Sequence, residues 1–182
     1  MKSLIEVLLP RIWDTERWAW GFNVFIRVFE GKNHLRKELS RKAEVYARFH
    51  EPIMLIVLID QDASDCRVLK QQLIEKIEAG GLSNFKVCIV CKDLECCYLG
   101  DMAALREIQP HSIAPNLSQK AKYRNPEKLN GKDELKKLLA TYQPISFAGA
   151  IAPRLNLKEN RCGSFTHAIR IFREIFSPST AS

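Results

Sequence analysis

Asp60, Asp62 and Asp65 follow directly on a seven-residue apolar run, Ile53–Ile59. The run is β-branched at Ile53, Ile56, Val57 and Ile59, which predicts a strand buried on both faces. Asp60 and Asp62 then fall where that strand emerges, at its carboxyl end. Open parallel sheets place their ligands in the crevice at that edge. Two carboxylates two residues apart can converge on one hard divalent cation such as Mg2+ or Mn2+, and such an ion stabilises charge developing on a phosphoryl oxygen. A structural role competes for the same residues. Asp62 could cap the following helix, with Asp65 three residues on completing a capping box. The cap is the stronger reading for Asp65 and the ion for Asp60, while Asp62 can do both.

Asp93-Leu94-Glu95 follows the next predicted strand, Lys86–Cys91, and so lies at the same edge of a parallel sheet. Either carboxylate could add to a metal site or favour the dipole of the helix it begins. Lys70 and Lys92 are candidates for neutralising phosphate, although solvated lysines are common. His34, His50, His111 and His167 have no metal-ligand spacing and are assigned no role. Cys88-x-x-Cys91 followed by Cys96-Cys97 has the look of a zinc motif. Side chains three apart on a strand point to opposite faces, however, and no Gly or Pro supplies the turn a zinc knuckle needs. The six cysteines are therefore read as buried thiols of a reducing compartment.

The elements that must position these residues alternate. A helix is predicted over 2–12, with Leu4, Ile5, Leu8 and Leu9 on one stripe. A strand over Phe22–Phe29 follows, then a basic helix over 34–49 and the strand over 53–59. Cys66, Leu69, Leu73 and Ile77 recur at helical spacing, and Gly80-Gly81 stops that helix. Strand–helix alternation indicates a parallel α/β sheet, because parallel neighbours need crossover connections. Residues 109–133 carry Pro110, Pro115, Pro126 and Gly131 and read as loop with short helical pieces. A small helix near 133–141 and an irregular segment over Gly149–Pro153 come next. The last helix is predicted to start at Ser164 as its N-cap, burying Phe165, Ala168, Ile169, Phe172 and Phe176, with fraying over 177–182. This gives an α/β core over 1–108 and a basic, loop-rich and helical C-terminal extension over 109–182.

Composition narrows the function classes. The chain has 182 residues, 46% hydrophobic and 27% charged, enough for a real core. Its longest apolar run is too short to span a bilayer, and Met1-Lys2-Ser3 leads into a helical pattern, not a signal peptide, so a cytoplasmic protein is expected. The net charge of +7 is unevenly spread: residues 51–115 hold ten acidic and six basic side chains, residues 116–182 five acidic and twelve basic. An acidic centre with basic flanks suits a metal site facing DNA or RNA, since the flanks neutralise phosphates.

Leu-Leu-Pro-Arg-Ile (8–12), Glu-Gly-Lys-Asn-His-Leu (30–35), Ile-Asp-Gln-Asp-Ala-Ser-Asp-Cys-Arg-Val-Leu-Lys (59–70), Asp-Leu-Glu-Cys-Cys-Tyr-Leu-Gly-Asp (93–101) and Asn-Arg-Cys-Gly-Ser-Phe (160–165) fall in order. Together they resemble the bacterial family catalogued as domain of unknown function 4276, whose fold is TOPRIM-like: an open, mainly parallel sheet flanked by helices. The 59–70 and 93–101 blocks are the specific ones. The resemblance implies a magnesium site for cutting phosphodiesters, with Asp60 and Asp62 as its Asp-x-Asp and Glu95 as an accessory acid. It also implies an ATPase partner in an antiviral module. Asp93 and Cys97 depart from the family's usual Glu and Trp. Relatives begin with a strand ending in a glutamate-bearing turn, and Met1 falls inside that turn. The expectation is that this strand and its glutamate precede the stated start or come from another chain, since a parallel sheet lacking an inner strand leaves backbone groups unpaired. Glu30-Gly31-Lys32 imitates the missing motif, although the family pattern places it at the second strand. Two rival readings stand beside the nuclease: a catalytically incomplete subunit docking on the ATPase, and an Asp-x-Asp phosphatase. The phosphatase wants Thr or Gly after its second Asp, where this chain has Ala63-Ser64-Asp65.

Overall fold

The structure, a computed structural model, describes residues 1–61 and 64–177. Among them are eight α-helices and one open sheet of two parallel strands, so the protein is of mixed α/β type. The chain divides into two compact units. The smaller is Arg27–Cys91, and the larger joins Met1–Ile26 to Lys92–Ser182.

In the smaller unit, α2 (Gly31–Ala47), β1 (Leu55–Asp60), α3 (Cys66–Ala79) and β2 (Phe85–Val90) follow one another. β1 and β2 pair in parallel from Leu55 opposite Phe85 to Asp60 opposite Val90. α3 makes the crossover that parallel neighbours require. The apolar stripes meet as their spacing predicts: Leu35, Leu39 and Ala43 of α2 and Leu69, Leu73 and Ile77 of α3 join Val57, Ile59 and Val87 in one core. β1 is less enclosed than its apolar run predicts. Val57 and Ile59 are buried, while Leu55, Ile56, Leu58 and Asp60 are half-buried, so one face is covered at Val57 and Ile59 and the other only partly. Asp65 is itself the N-cap of α3, its Oδ1 accepting from the Arg67 and Val68 N–H groups at 2.9 and 3.0 Å. The cap expected of Asp65 is thus real, but at the N-cap and not at N3. Gly80 and Gly81 end the helix, Gly81 at φ 79°.

The larger unit holds α1 (Lys2–Leu8), α4 (Glu95–Leu99), α5 (Met102–Ile108), α6 (Gly131–Leu138), α7 (Pro144–Ile151) and α8 (Gly163–Phe176). Three short 3-10 turns occupy Leu117–Gln119, Ala121–Arg124 and Pro126–Lys128, as the prolines there predict. All five residues of the predicted α8 stripe are buried. Arg11 donates to the Ala152 and Leu155 carbonyls at 2.6 and 2.9 Å, satisfying acceptors just beyond α7.

Three predicted elements change. Residues 22–29 are not a strand: they are turn and irregular chain, with a lone bridge from Trp20 to Val24. Asn23 explains the local conformation, because its Oδ1 accepts from the Ala19 N–H at 3.0 Å and its Nδ2 donates to the Arg17 carbonyl at 2.7 Å. Such a side-chain-to-backbone turn competes with a ladder, and Gly21 at φ 76° adopts it without steric cost. The irregular segment over Gly149–Pro153 begins as helix, since α7 runs to Ile151. Pro144 at its first position and the burial of Phe147, Ala148 and Ile151 outweigh the cost of about 1 kcal/mol for a mid-helix glycine. α8 begins at Gly163 with Cys162 as N-cap, two residues before the predicted N-cap Ser164. Beyond Ser177, the predicted fraying falls outside the described residues.

The α2–α3 contact gives a direct packing test. A Cβ added at Gly80 would stand 2.6 Å from the Ala43 Cβ and 2.8 Å from the Glu44 backbone nitrogen, closer than atoms can sit. Gly80→Ala is therefore expected to lower stability by about 1–3 kcal/mol through forced separation of the helices. Urea unfolding measures it, and an unchanged midpoint would contradict the packing.

Candidate metal centre

The end of β1 is built by three segments of the smaller unit. Asp60, the last strand residue, is half-buried opposite Val90, and the Gln61 N–H extends the ladder by donating to the Val90 carbonyl at 2.8 Å. Lys32, in the first turn of α2, reaches this end and donates its Nζ to the Gln61 carbonyl at 2.8 Å. Glu30 occupies the N-cap position of the same helix and is exposed, with its N–H donating to His34 Nδ1 at 3.3 Å. Gly31 between them sits at φ 81°, a left-handed conformation that favours glycine. The Glu30-Gly31-Lys32 turn and the strand end are thus joined by a hydrogen bond, which sequence spacing could suggest only by analogy. Gln61 Nε2 donates onward to the Ser64 carbonyl at 2.8 Å, close to the Asp65 cap. Asp62 and Ala63 lie outside the described residues. Two residues beyond β2, Lys92 is held at φ 63°, the one positive φ among described non-glycine residues. A lysine in the left-handed region costs about 1 kcal/mol or more, and this one opens the second segment of the larger unit.

The Asp93–Glu95 carboxylates belong to the larger unit, and each has a defined partner there. Asp93 Oδ1 accepts from the Cys96 N–H at 3.1 Å, and Oδ2 from the Lys132 N–H at 3.4 Å. One side chain therefore serves the N-terminal turns of both α4 and α6, where a negative charge favours the helix dipoles. The two helices approach so closely that a Cβ on Gly131 would stand 2.6 Å from the Cys96 nitrogen. Glu95 is 9% exposed, and its Oε1 accepts from the Tyr142 hydroxyl at 2.7 Å. Burial, then the Glu95 carboxylate, push the Tyr142 phenol well above its ordinary range. Tyr142 was invisible as a partner because 47 residues separate the pair.

Other acids turn inward in the same way. Asp101 caps α5 by accepting from the Ala104 N–H at 3.0 Å, and its second oxygen accepts from the Asn156 N–H at 2.7 Å. Glu134 accepts from Lys122 Nζ and the Tyr123 hydroxyl, both at 2.6 Å. Glu127 Oε1 accepts from the Ser164 N–H at 2.7 Å, supplying from a distant turn the acceptor that Cys162 does not offer at the head of α8.

The six cysteines are thiols, four of them buried. Burial pushes the Cys88 thiol up to about 11, which disfavours the thiolate a metal would need. Cys162 is the exception. The Cys97 thiol 3.6 Å away, opposed by burial and helped by Ser164, holds it below its ordinary value. Among the described residues, no group of three or more His, Cys, Asp and Glu side chains is arranged to hold a metal ion. No helix of the described residues is long and apolar enough to cross a membrane.

A parallel strand pair with Asp60 at its carboxyl edge, and a helical unit tied by inward carboxylates, make a chain of mixed α/β type. The chain belongs to the family described as Domain of unknown function (DUF4276), whose pattern matches residues 2–170. No curated protein and no solved structure matches it.

Removing the Tyr142 hydroxyl leaves a buried carboxylate oxygen without its donor. Tyr142→Phe is expected to cost about 1–3 kcal/mol, and much of that cost should vanish in a Glu95→Gln background. A double-mutant cycle by chemical unfolding measures the coupling, and strictly additive effects would show that the pair contributes nothing.

Proposed function

We propose that this chain carries a TOPRIM-like, metal-dependent phosphodiester-cleaving site that acts on nucleic acid, with Asp60 and Asp62 holding a magnesium or manganese ion. The observation that supports it is the setting of Asp60: a half-buried carboxylate at the carboxyl end of a parallel strand, beside a lysine and a helix N-terminus. The donor chemistry fits. Carboxylate oxygens suit a hard cation, and magnesium is commonly held by one or two carboxylates with water and substrate phosphate completing its shell. When bound, such an ion stabilises charge developing on a phosphoryl oxygen.

The remaining work falls to the chain. The Lys32–Gln61 hydrogen bond fastens the residue that follows β1 to the head of α2. Glu30, exposed at that head, is the acid available to serve where TOPRIM sites use a glutamate. The setting the family resemblance implies, a bacterial antiviral module with a partner ATPase, belongs to the same proposal.

A second reading is a catalytically incomplete subunit that docks on the ATPase. Two observations favour it. Glu95, the accessory acid of the first reading, is committed to Tyr142 inside the larger unit. In the larger unit Phe22 and Phe25 expose 82% and 64% of their surface, the kind of apolar display that marks a contact site.

A plasmid-nicking assay with purified protein separates the two. The first reading expects nicking that requires Mg2+ or Mn2+ and falls on the order of a hundredfold or more in Asp60→Asn, as when charge stabilisation of a transition state is lost. Equal cleavage by Asp60→Asn would end that reading. A folded wild-type protein inert with either ion would favour the docking subunit.

A further inference from the structure

Residues 117–138 hold seven cationic side chains and three acidic ones, and the fold sorts them. Glu134 is buried and Glu127 half-buried, each spent on an internal hydrogen bond. Lys122 is engaged by Glu134. Seven cations less Lys122 leaves six: Lys120, Arg124, Lys128, Lys132, Lys136 and Lys137, all exposed. The described ion pairs include none of these six. Asp133 is the single acid of the segment that faces solvent. The bias of the sequence is thereby amplified: two of the three acids are consumed as structural acceptors and six of the seven cations are left outside.

We propose that this segment, centred on the solvent face of α6, is the surface that grips the phosphodiester backbone of a nucleic acid. Gly131, Glu134 and Leu135 are the buried positions of α6, so Lys132, Lys136 and Lys137 project from its opposite side. Lys132 and Lys136 are one turn apart, with Cβ atoms about 5–6 Å from each other, and their flexible stems can meet neighbouring phosphates. An anionic membrane is the less suitable partner. A surface-lying helix needs exposed apolar side chains next to its cations. The large exposed apolar residues, Phe22, Phe25, Val28, Val45, Phe49, Met54, Val68 and Ile145, all fall outside 117–138. The inference deepens the proposed function by naming the surface that holds the substrate. Because binding is read in EDTA, where no cleavage occurs, its failure is separable from failure of the Asp60 site.

The test uses the full chain and fluorescence anisotropy with labelled duplex DNA and duplex RNA across a salt series. Lys132→Glu/Lys136→Glu is compared with Lys37→Glu/Lys86→Glu, which changes net charge equally at exposed positions of the smaller unit. The α6 variant is expected to bind at least about tenfold more weakly near 0.1 M salt, with the slope of log affinity against log salt smaller by about two. The control should stay within about twofold of wild type. Should the charge reversals unfold the protein by circular dichroism, Lys132→Gln/Lys136→Gln is expected to reduce the slope in the same direction. Equal DNA and RNA affinity identifies backbone recognition, and a preference names the source; both support the surface. Three results would overturn it: wild-type affinity in the α6 variant, equal weakening by the control, or binding of wild type to phosphatidylserine vesicles but to neither duplex.

Discussion

The parallel pairing of β1 with β2 is the constraint on which the rest depends. An antiparallel pair would put the two strand ends at opposite edges, whereas parallel pairing brings both carboxyl ends to one edge. The register places Asp60 opposite Val90, and Gln61 adds one more ladder bond before the chain turns away. The crossover helix α3 must then start at that edge, which is why an acid at position 65 finds backbone N–H groups to cap. α2 is drawn to the same edge by Lys32. The strand end, the N-terminus of α3 and Lys32 of α2 are therefore gathered at one edge of the sheet.

The larger unit follows a different rule. It has no sheet among its described residues, and all its helices but α8 are short, of eight residues or fewer. Short helices leave a large share of their backbone N–H groups without intrahelical partners. Here acidic side chains meet part of that demand, from Asp93 at α4 and α6, Asp101 at α5 and Glu127 at α8. Two tyrosines, Tyr123 and Tyr142, give their hydroxyls to the buried acids Glu134 and Glu95. Leaving such an acceptor unmet in a buried setting costs more than a satisfied bond gains, so these contacts specify the arrangement of the loops. The outward display of lysines is the other side of the same economy.

The sequence was legible where periodicity is strong and burial is local. The α3 stripe of Leu69, Leu73 and Ile77, the α8 stripe from Phe165 to Phe176, and the two parallel strands all follow from spacing and β-branching. It misled at residues 22–29, where an aromatic and β-branched composition matches a strand but Asn23 and Gly21 favour a local turn. It was silent where partners are distant in the chain. Nothing near Glu95 announces Tyr142, and nothing near Ser164 announces Glu127. At Asp60 the sequence placed the carboxylate at the end of the strand, and the structure adds Lys32 and the head of α2 beside the residue that follows.

Electron paramagnetic resonance of added Mn2+ tests the central claim most directly, since it counts bound ions without requiring a substrate or turnover. The account predicts a protein-bound Mn2+ signal in the wild-type chain that Mg2+ displaces and that disappears in Asp60→Asn. An identical bound signal in that variant, or none in the wild type, would contradict it.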